Sequence, residues 1–303
     1  MTANLRGILL MLAAMVAFAA EDALIKLASV STPTGQIIVT LGLCGLPVFV
    51  IWARVQGQDL FRRDAFAAPA LARNGAEMVG SLGIVTALSL IPISTASAIL
   101  QAAPIIVTAA AALILGEAVG WRRWTAVLVG FGGVILILQP GAEGFDPNVF
   151  WAVLGVLGLA ARDIATRRLP PGLPTPVVAS WGYVAVTLMG TLMLAQSGTV
   201  VIPPPQAMMQ IGAAVLLGIF GYWSIIEATR AGDVSAITPF RYSRLICALA
   251  IGIFVFDERP DAAMLTGAVL VIGSGLYTLY RERRRGLDSR APYSPVPSPE
   301  TSP

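Results

Sequence analysis

The sequence contains no histidine among its 303 residues. This absence excludes a Ser-His-Asp or Cys-His catalytic arrangement, a histidine metal site and an imidazole that titrates near neutral pH. Cysteine is almost as scarce, since Cys44 and Cys247 are the only two and each lies inside a long apolar run. Two such cysteines support neither a disulfide framework nor a zinc site. We therefore expect no bound metal and no cofactor.

Charge is also sparse, because Asp, Glu, Lys and Arg make up 12% of the chain, against about 25% in an ordinary soluble domain. Apolar residues reach 56% and the mean hydropathy is +0.77. There are too few polar side chains to cover a globule, which favours an all-α integral membrane protein. The pI near 9.1 does not indicate nucleic-acid binding, because the arginines stand in short clusters between apolar segments.

Ten apolar runs are long enough to cross a bilayer core about 30 Å thick. In chain order they cover residues 7–28, 35–55, 74–91, 94–116, 124–138, 148–166, 176–196, 208–228, 234–256 and 262–280. With the N-terminus inside, most arginines fall on the cytoplasmic side, and Lys26 and Arg259 fall near the other face. We expect both termini in the cytoplasm, with residues 281–303 as a disordered tail rich in Arg, Pro and Ser.

Sliding the sequence along itself by 141 positions aligns polar residues of the two halves. The aligned pairs are Asp22 with Asp163, Lys26 with Arg167, Glu117 with Glu258, Thr125 with Thr266 and Gly132 with Gly273. Five spans in each half is an odd number, so the second copy crosses the membrane in the opposite sense. We therefore expect two inverted five-helix repeats. A cleavable signal peptide ending near Ala17-Phe18-Ala19 is the alternative for the first span, but its removal would destroy this correspondence.

Two similar stretches close the fourth span of each half and lead into the fifth. They read Ile114-Leu115-Gly116-Glu117, Trp124-Thr125-Ala126 and Gly130-Phe131-Gly132-Gly133-Val134, and then Phe256-Asp257-Glu258, Leu265-Thr266-Gly267 and Gly273-Ser274-Gly275. In these stretches the chain resembles the drug/metabolite transporter superfamily, and within it the EamA-type proteins. The resemblance implies repeats at 6–139 and 148–280. It also implies a secondary carrier of the inner membrane, with a cavity lined by the first, third, fourth, sixth, eighth and ninth spans.

Ionisable side chains inside spans are costly and are therefore candidates for function. Arg241 and Arg244 share one face of the ninth span, while the matching positions of the first half are Leu100 and Ala103, so the repeated architecture does not require them. We expect at least one of them to bind substrate; an ion pair with Glu77 is the alternative. Glu77 is asymmetric too, since it aligns with Gly218.

The remaining candidates complete a zwitterionic interior. Glu21 aligns with Arg162, and an arginine opposite a carboxylate would suit an amino acid or a similar solute. Tyr222, Trp223 and Tyr242 would stack on a flat or amphipathic solute, with ordinary membrane packing as the alternative. Two further pairs one helical turn apart, Asp22 with Lys26 and Asp163 with Arg167, are expected to be structural salt bridges near helix ends.

These features predict a secondary transporter that moves a small polar or amphipathic metabolite by alternating access. Similar proteins suggest a riboflavin-like vitamin, an amino acid or S-adenosylmethionine as the substrate. An integral-membrane enzyme and a receptor or structural protein are the alternatives, although neither a catalytic constellation nor room for a signalling domain is visible. If a proton drives transport, Asp22 and Glu77 are the coupling candidates. The expected partners are the substrate and the lipid bilayer, not nucleic acid; a homodimer stays open.

Overall fold

The computed structural model describes residues 3–114, 116, 120–141, 145–231 and 237–288, and its regular structure over these ranges is helical. The α-helices are α1 (Ala3–Ala28), α2 (Thr34–Val55), α3 (Ala68–Leu90), α4 (Ile93–Leu100), α5 (Ala103–Ile114), α6 (Trp121–Leu138), α7 (Val149–Arg167), α8 (Thr175–Ser197), α9 (Pro205–Ala231), α10 (Ser243–Phe256) and α11 (Ala262–Asp288). Two short 3₁₀ helices cover Arg63–Phe66 and Thr238–Tyr242. The predicted all-α fold is confirmed.

Nine helical segments of the described ranges are long and apolar enough to cross a membrane. Seven are single helices, and two are formed by pairs of short helices, at Ile93–Ile114 and Thr238–Phe256. The tenth long helix, α3, begins at Ala68 and not at the predicted Asn74. Pro69 stands in its first turn, where the missing N–H would have no helical partner in any case. The ten predicted spans are all present as helices.

The helices pack in pairs that reflect the internal repeat. The most extensive contacts join α1 with α9, α3 with α7, α2 with α8 and α6 with α11. The repeat relates the first two pairs to each other, because α1 corresponds to α7 and α3 corresponds to α9. The last two pairs each join a helix to its own counterpart. A bundle of two inverted five-helix repeats has this two-fold pattern of contacts.

The fourth span is interrupted near its middle, and the described part of the ninth span changes from 3₁₀ to α-helix. In the fourth, α4 ends at Leu100 and α5 begins at Ala103, because the ring of Pro104 would clash with the carbonyl of residue 100 in a continuous helix. In the ninth, the 3₁₀ helix Thr238–Tyr242 passes into α10 at Ser243. We refer to the break at residues 101–102 and the change of helix type at residues 242–243 as the joints. They match at the repeat offset, since position 101 plus 141 is position 242.

Some predicted features lie outside the described residues, namely Glu117, the side chain of Arg230, residues 234–236 of the ninth span and residues 289–303 of the tail. The helix α11 continues to Asp288, so the segment 281–288, which we expected to be disordered, is helical.

Candidate functional site

A cavity of about 310 Å³ lies between α1, α4, α5, α7, α10, α11 and the second 3₁₀ helix. Its polar lining residues are Gln101, Thr108, Arg162, Asp163, Arg167, Thr238, Arg241, Tyr242, Arg244 and Thr278. Its apolar walls include Met15, Leu100, Val107, Leu159 and Leu279. This volume falls at the lower end of the range for small-molecule sites, roughly 300–1,000 Å³. Both joints border the cavity, so backbone that leaves regular helix lies beside it.

The second 3₁₀ helix brings Arg241 to the cavity wall. Its side chain is exposed there, and within the described ranges no carboxylate lies within salt-bridge distance of its guanidinium group. The backbone carbonyl of Arg241 accepts a hydrogen bond from Nε2 of Gln101 at 3.4 Å, which connects the two joints. Arg241 is therefore a cation inside the bundle whose five N–H donors are available to an anion.

Arg244 also lines the cavity, but it has a partner. Its Nη2 lies 2.7 Å from Oδ2 and 2.9 Å from Oδ1 of Asp22, and its Nε lies 3.2 Å from Oδ2. The guanidinium group also lies 5.3 Å from the ring centre of Phe18. The alternative ion pair with Glu77 is wrong, and so is the expected salt bridge between Asp22 and Lys26, because Arg244 holds both carboxylate oxygens of Asp22.

Glu77 belongs to a second ionic cluster, formed by α3 and α7. Its two carboxylate oxygens lie 3.1 Å from Nη2 of Arg73 and 3.3 Å from Nη1 of Arg162. Arg162 also donates to Oδ1 of Asp163, from Nη2 at 2.9 Å and from Nε at 3.1 Å. The expected pair of Asp163 with Arg167 is wrong, because Arg162 is the arginine that bonds Asp163. Glu77 itself does not line the cavity; Arg162 and Asp163 do.

The aromatic candidates separate into one cavity residue and two residues elsewhere. Tyr242 is 5% exposed, lines the cavity, and its hydroxyl has no hydrogen-bond partner in the described structure. Tyr222 instead meets the ring of Phe49 edge-on, 5.1 Å between ring centres. Trp223 is 47% exposed and lies beside the equally exposed Phe220. The predicted binding roles of Tyr222 and Trp223 find no support in this arrangement, since neither ring lines the cavity.

Glu21 is also absent from the cavity lining. Its carboxylate lies against Gly218 of α9: a β-carbon added to Gly218 would stand 2.6 Å from Oε1 and 3.0 Å from Cδ of Glu21. No described residue donates a hydrogen bond to this carboxylate or lies within salt-bridge distance of it. The structure thus separates Glu21 from Arg241, with which the sequence grouped it.

The two ends of the bundle differ. At the end where α1 and α3 finish, Nζ of Lys26 donates to the carbonyls of Ile91 at 2.6 Å and Leu88 at 3.2 Å. At the same end, Glu258 accepts hydrogen bonds from the backbone N–H of Ile93 at 2.6 Å, and from both the N–H and the hydroxyl of Ser94. We call this the latched end. The cavity lies toward the opposite end, where α7 and α11 finish.

Several cavity residues were not proposed from the sequence. Gln101, Thr108 and Thr278 carry no charge, so nothing distinguishes them from the many polar residues of membrane helices. Arg162 and Asp163 did carry a signal, because an arginine aligned with Glu21 is a departure from the repeat inside a span.

Comparison with known proteins agrees with this architecture. The sequence model of the EamA-like transporter family, which is part of the drug/metabolite transporter superfamily, matches residues 5–139 and 147–280. The chain belongs to this family. It is therefore a multi-pass membrane protein, and small-metabolite transport is the activity that the family and its characterised relatives share.

The names of the relatives state different substrates. A riboflavin transporter of Rhizobium johnstonii is 30% identical over 69% of this chain and 70% of its own length. An S-adenosylmethionine uptake transporter of Rickettsia bellii is 28% identical, over 65% of this chain and 67% of its own length. A pseudopaline exporter of Pseudomonas aeruginosa is 26% identical, over 88% and 93%. A crystal structure at 19% identity covers 93% of this chain and 98% of its own, with a TM-score of 0.63, and supports the fold alone.

Proposed function

We propose that the chain is a secondary carrier that binds a small organic metabolite with an anionic or zwitterionic group in the 310 Å³ cavity and moves it by alternating access. The observation that carries this proposal is Arg241. A guanidinium group without a carboxylate partner is expensive to hold inside a membrane protein, so such a group is expected to serve a ligand. Arg241 faces a ligand-sized cavity at a joint between helices, in a family of metabolite transporters.

The lining also supports a second point of recognition. Oδ1 of Asp163 accepts from Arg162, while Oδ2 accepts from none of the described donors. The hydroxyl of Tyr242 is likewise unbonded. A carboxylate or phosphate on Arg241 and an ammonium near Asp163 would occupy these two groups, whereas the Tyr242 hydroxyl is buried against Gly275 and out of a solute's reach. The apolar walls at Met15, Val107 and Leu159 would contact the rest of the solute.

We further propose an inner-membrane location with both termini in the cytoplasm, on the distribution of arginines. This orientation makes the cavity side cytoplasmic and the latched end external. Large apolar side chains that project outward, such as Leu216, Phe254 and Val269, would face lipid. An enzyme or a receptor stays the alternative. Purified protein that turns over a solute and transports none would overturn the carrier proposal in favour of an enzyme.

The deciding experiment is reconstitution into liposomes with a panel of labelled solutes: S-adenosylmethionine, riboflavin and a neutral amino acid. We expect S-adenosylmethionine or the amino acid, each of which carries a carboxylate, to be transported and to raise the melting temperature of the purified protein, since a ligand that binds the folded state stabilises it. Transport of riboflavin alone, a neutral solute, would contradict the proposed anionic group.

Arg241→Ala should weaken binding of that solute at least tenfold, because the lost contact is charge-assisted. Arg241→Lys should recover only part of the affinity if the contact is bidentate. The matched control is Arg122→Ala, an exposed arginine that lies over the ring of Trp121 outside the cavity. Equal affinities for the wild type and Arg241→Ala would remove Arg241 from the site.

A further inference from the structure

The two repeats form an equivalent helix contact with different charges. The repeat offset of 141 relates Glu21 to Arg162 and Gly218 to Glu77. Between α7 and α3, Arg162 and Glu77 form an ion pair at 3.3 Å. Between α1 and α9, the equivalent helix contact, the Glu21 carboxylate lies against the bare backbone of Gly218. One half therefore holds a carboxylate with its cation, and the other half holds a carboxylate alone.

The surroundings of Glu21 offer it no cation. The neighbouring Asp22 takes three hydrogen bonds from Arg244, which uses both oxygens of that carboxylate. The charged groups that act on Glu21 are Asp22 on α1 and Arg244 on α10, and Tyr183 of α8 is a further neighbour. The packed elements also carry Arg6 and Lys26 on α1, Tyr222, Glu227 and Arg230 on α9, Arg73 and Glu77 on α3, Arg241 on the 3₁₀ helix and Cys247 on α10. The adjoining helix α4 carries none.

The net charge of Glu21, Asp22 and Arg244 indicates which ligand would balance it. Glu21 and Asp22 bring two negative charges when both are ionised, and Arg244 brings one positive charge. A net negative charge among spanning helices costs several kcal/mol. One proton removes it, and a proton needs no cavity, whereas Glu21 does not line the 310 Å³ cavity, where a cationic solute would fit.

We propose that Glu21, and not Asp22 or Glu77, carries the proton that drives transport. Asp22 and Glu77 are each held by arginines, so their charges are already balanced. This proposal rests on the proposed carrier function and adds the coupling ion and its residue.

Arg244 links the proton to the cavity. It lines the cavity on one side and holds Asp22 on the other. An anionic solute in the cavity attracts Arg244 and weakens its hold on Asp22, which raises the local negative charge next to Glu21. Binding of the anion and protonation of Glu21 therefore favour each other. The carrier moves both together, and the affinity for the anion rises as the pH falls, by at most about tenfold per pH unit for a single linked proton.

The first test needs no substrate. Infrared difference spectra of the purified full-length protein, recorded against pH, report protonated carboxyl groups through their carbonyl stretch. We expect one titrating carboxyl band that disappears in Glu21→Gln and persists in Glu77→Gln. A band that persists in Glu21→Gln overturns the proposal.

A second variant keeps the proposal testable if Glu21→Gln fails to fold. Gly218→Ala keeps the carboxyl group but places a methyl group against Oε1, so the titration midpoint of the band should move. Gly212→Ala is the control on the same helix, because a β-carbon there meets nothing within 4 Å. An unchanged midpoint in Gly218→Ala would also count against the proposal.

The transport test uses whichever panel solute binds. In wild-type liposomes an inward proton gradient should drive net accumulation. Glu21→Gln should lose this accumulation, keep solute exchange, and bind the solute with a pH-independent affinity close to the low-pH value of the wild type. Accumulation that survives in Glu21→Gln overturns the proposal. If no solute is transported at all, the proposed function fails, while the infrared titration still decides whether Glu21 holds the proton.

Discussion

At the scale of single residues, pairing decides which charges inside the bundle are available. Arginines form salt bridges with three of these carboxylates, those of Asp22, Glu77 and Asp163. Glu21 has no salt-bridge partner in the described structure. Among the arginines, Arg244 is committed to Asp22 and Arg241 is not. We assign the proton to Glu21 and the solute to Arg241, the two residues of this set without an ion-pair partner in the described structure.

A carboxylate outside the spans gives a prediction about pH. Asp261 precedes α11 and accepts hydrogen bonds from Nε2 of Gln139 at 2.7 Å and from the N–H of Met264 at 2.7 Å. These bonds, that from Gln139 foremost, lower the pKa of Asp261. The stabilisation is therefore present above the unfolded value, about 3.9, and is lost as the pH falls through the lower folded pKa.

Asp261→Ala should destabilise the protein at pH 7 by about 1 kcal/mol, the usual cost of losing an N-terminal helix cap. Asp261→Asn should keep most of the capping stabilisation, since Asn caps helices as well as Asp does. It should remove the part of the stabilisation that depends on pH. Melting temperatures in detergent between pH 3 and 7 would measure both effects. Equal loss of stability on acidification in the wild type and in Asp261→Asn would contradict the assignment.

The sequence reveals which residue types stand inside the spans but not which of them meet. The repeat offset identified Glu21, Glu77 and Arg244 as asymmetric, and that much could be predicted. The partner of Arg244 is Asp22, 222 positions away, and the helix packing that joins them leaves no trace in a single sequence. The predicted local pair of Asp22 with Lys26 lost to this distant partner, because a guanidinium group can satisfy both oxygens of a carboxylate and an ammonium cannot. Asp163 instead bonds the arginine next to it in the sequence, Arg162.

At the scale of helices, glycine positions determine how closely the spans approach. α6 and α11 cross where Gly133 faces Gly267, and a β-carbon on Gly133 would lie 2.8 Å from the carbonyl oxygen of Gly267. The neighbouring Gly132 points into open space. The apolar runs predicted the helices and their order, but the sequence did not tell which of two adjacent glycines makes the contact.

Gly133→Ala should destabilise the protein by about 1–3 kcal/mol, because the added methyl group overlaps backbone that cannot move aside. Gly132→Ala should be neutral or slightly stabilising, because alanine is the better helix former by up to about 1 kcal/mol. Thermal unfolding of the two variants in the same detergent gives the comparison. The crossing is misassigned if the two substitutions have the same effect.

At the scale of the whole molecule, the latched end and the 310 Å³ cavity lie toward opposite ends of the bundle. Lys26 and Glu258 hold the latched end through backbone groups of the last turn of α3, the α3–α4 connection and the first turn of α4. The bonds to Glu258 also satisfy N–H groups that begin a helix and have no partner within it. In the proposed alternating-access cycle, these hydrogen bonds have to break when the latched end opens.

Glu258→Gln should therefore open the latched end more often, because charge-assisted hydrogen bonds become neutral ones. A Ser97→Cys probe, buried at 2% exposure one turn inside the latch, would be placed in a chain whose two native cysteines are replaced by alanine. We expect about tenfold faster maleimide labelling with Glu258→Gln, for a loss of about 1.5 kcal/mol. Asp257→Asn, a change at the exposed neighbouring acid, is the control and should leave the labelling rate unchanged.

Orientation can be tested on the whole molecule in cells. Reporter fusions after residue 303 should give a cytoplasmic signal, in agreement with the arginine distribution. In the same orientation, the labelling of Ser97→Cys should come from the external side. A periplasmic reporter signal would reverse the orientation and with it the side to which the cavity is assigned.

Both joints border the cavity, at matching points of the two repeats. A jointed helix swings most at its tips and least at its joint, so we expect the solute to lie near the pivot while the two ends alternate. A site whose geometry hardly changes between the conformations open to either side binds the solute with similar affinity from both compartments. If the proposed proton coupling holds, we expect a protein without built-in direction, in which the gradients of solute and proton determine whether the solute enters or leaves the cell.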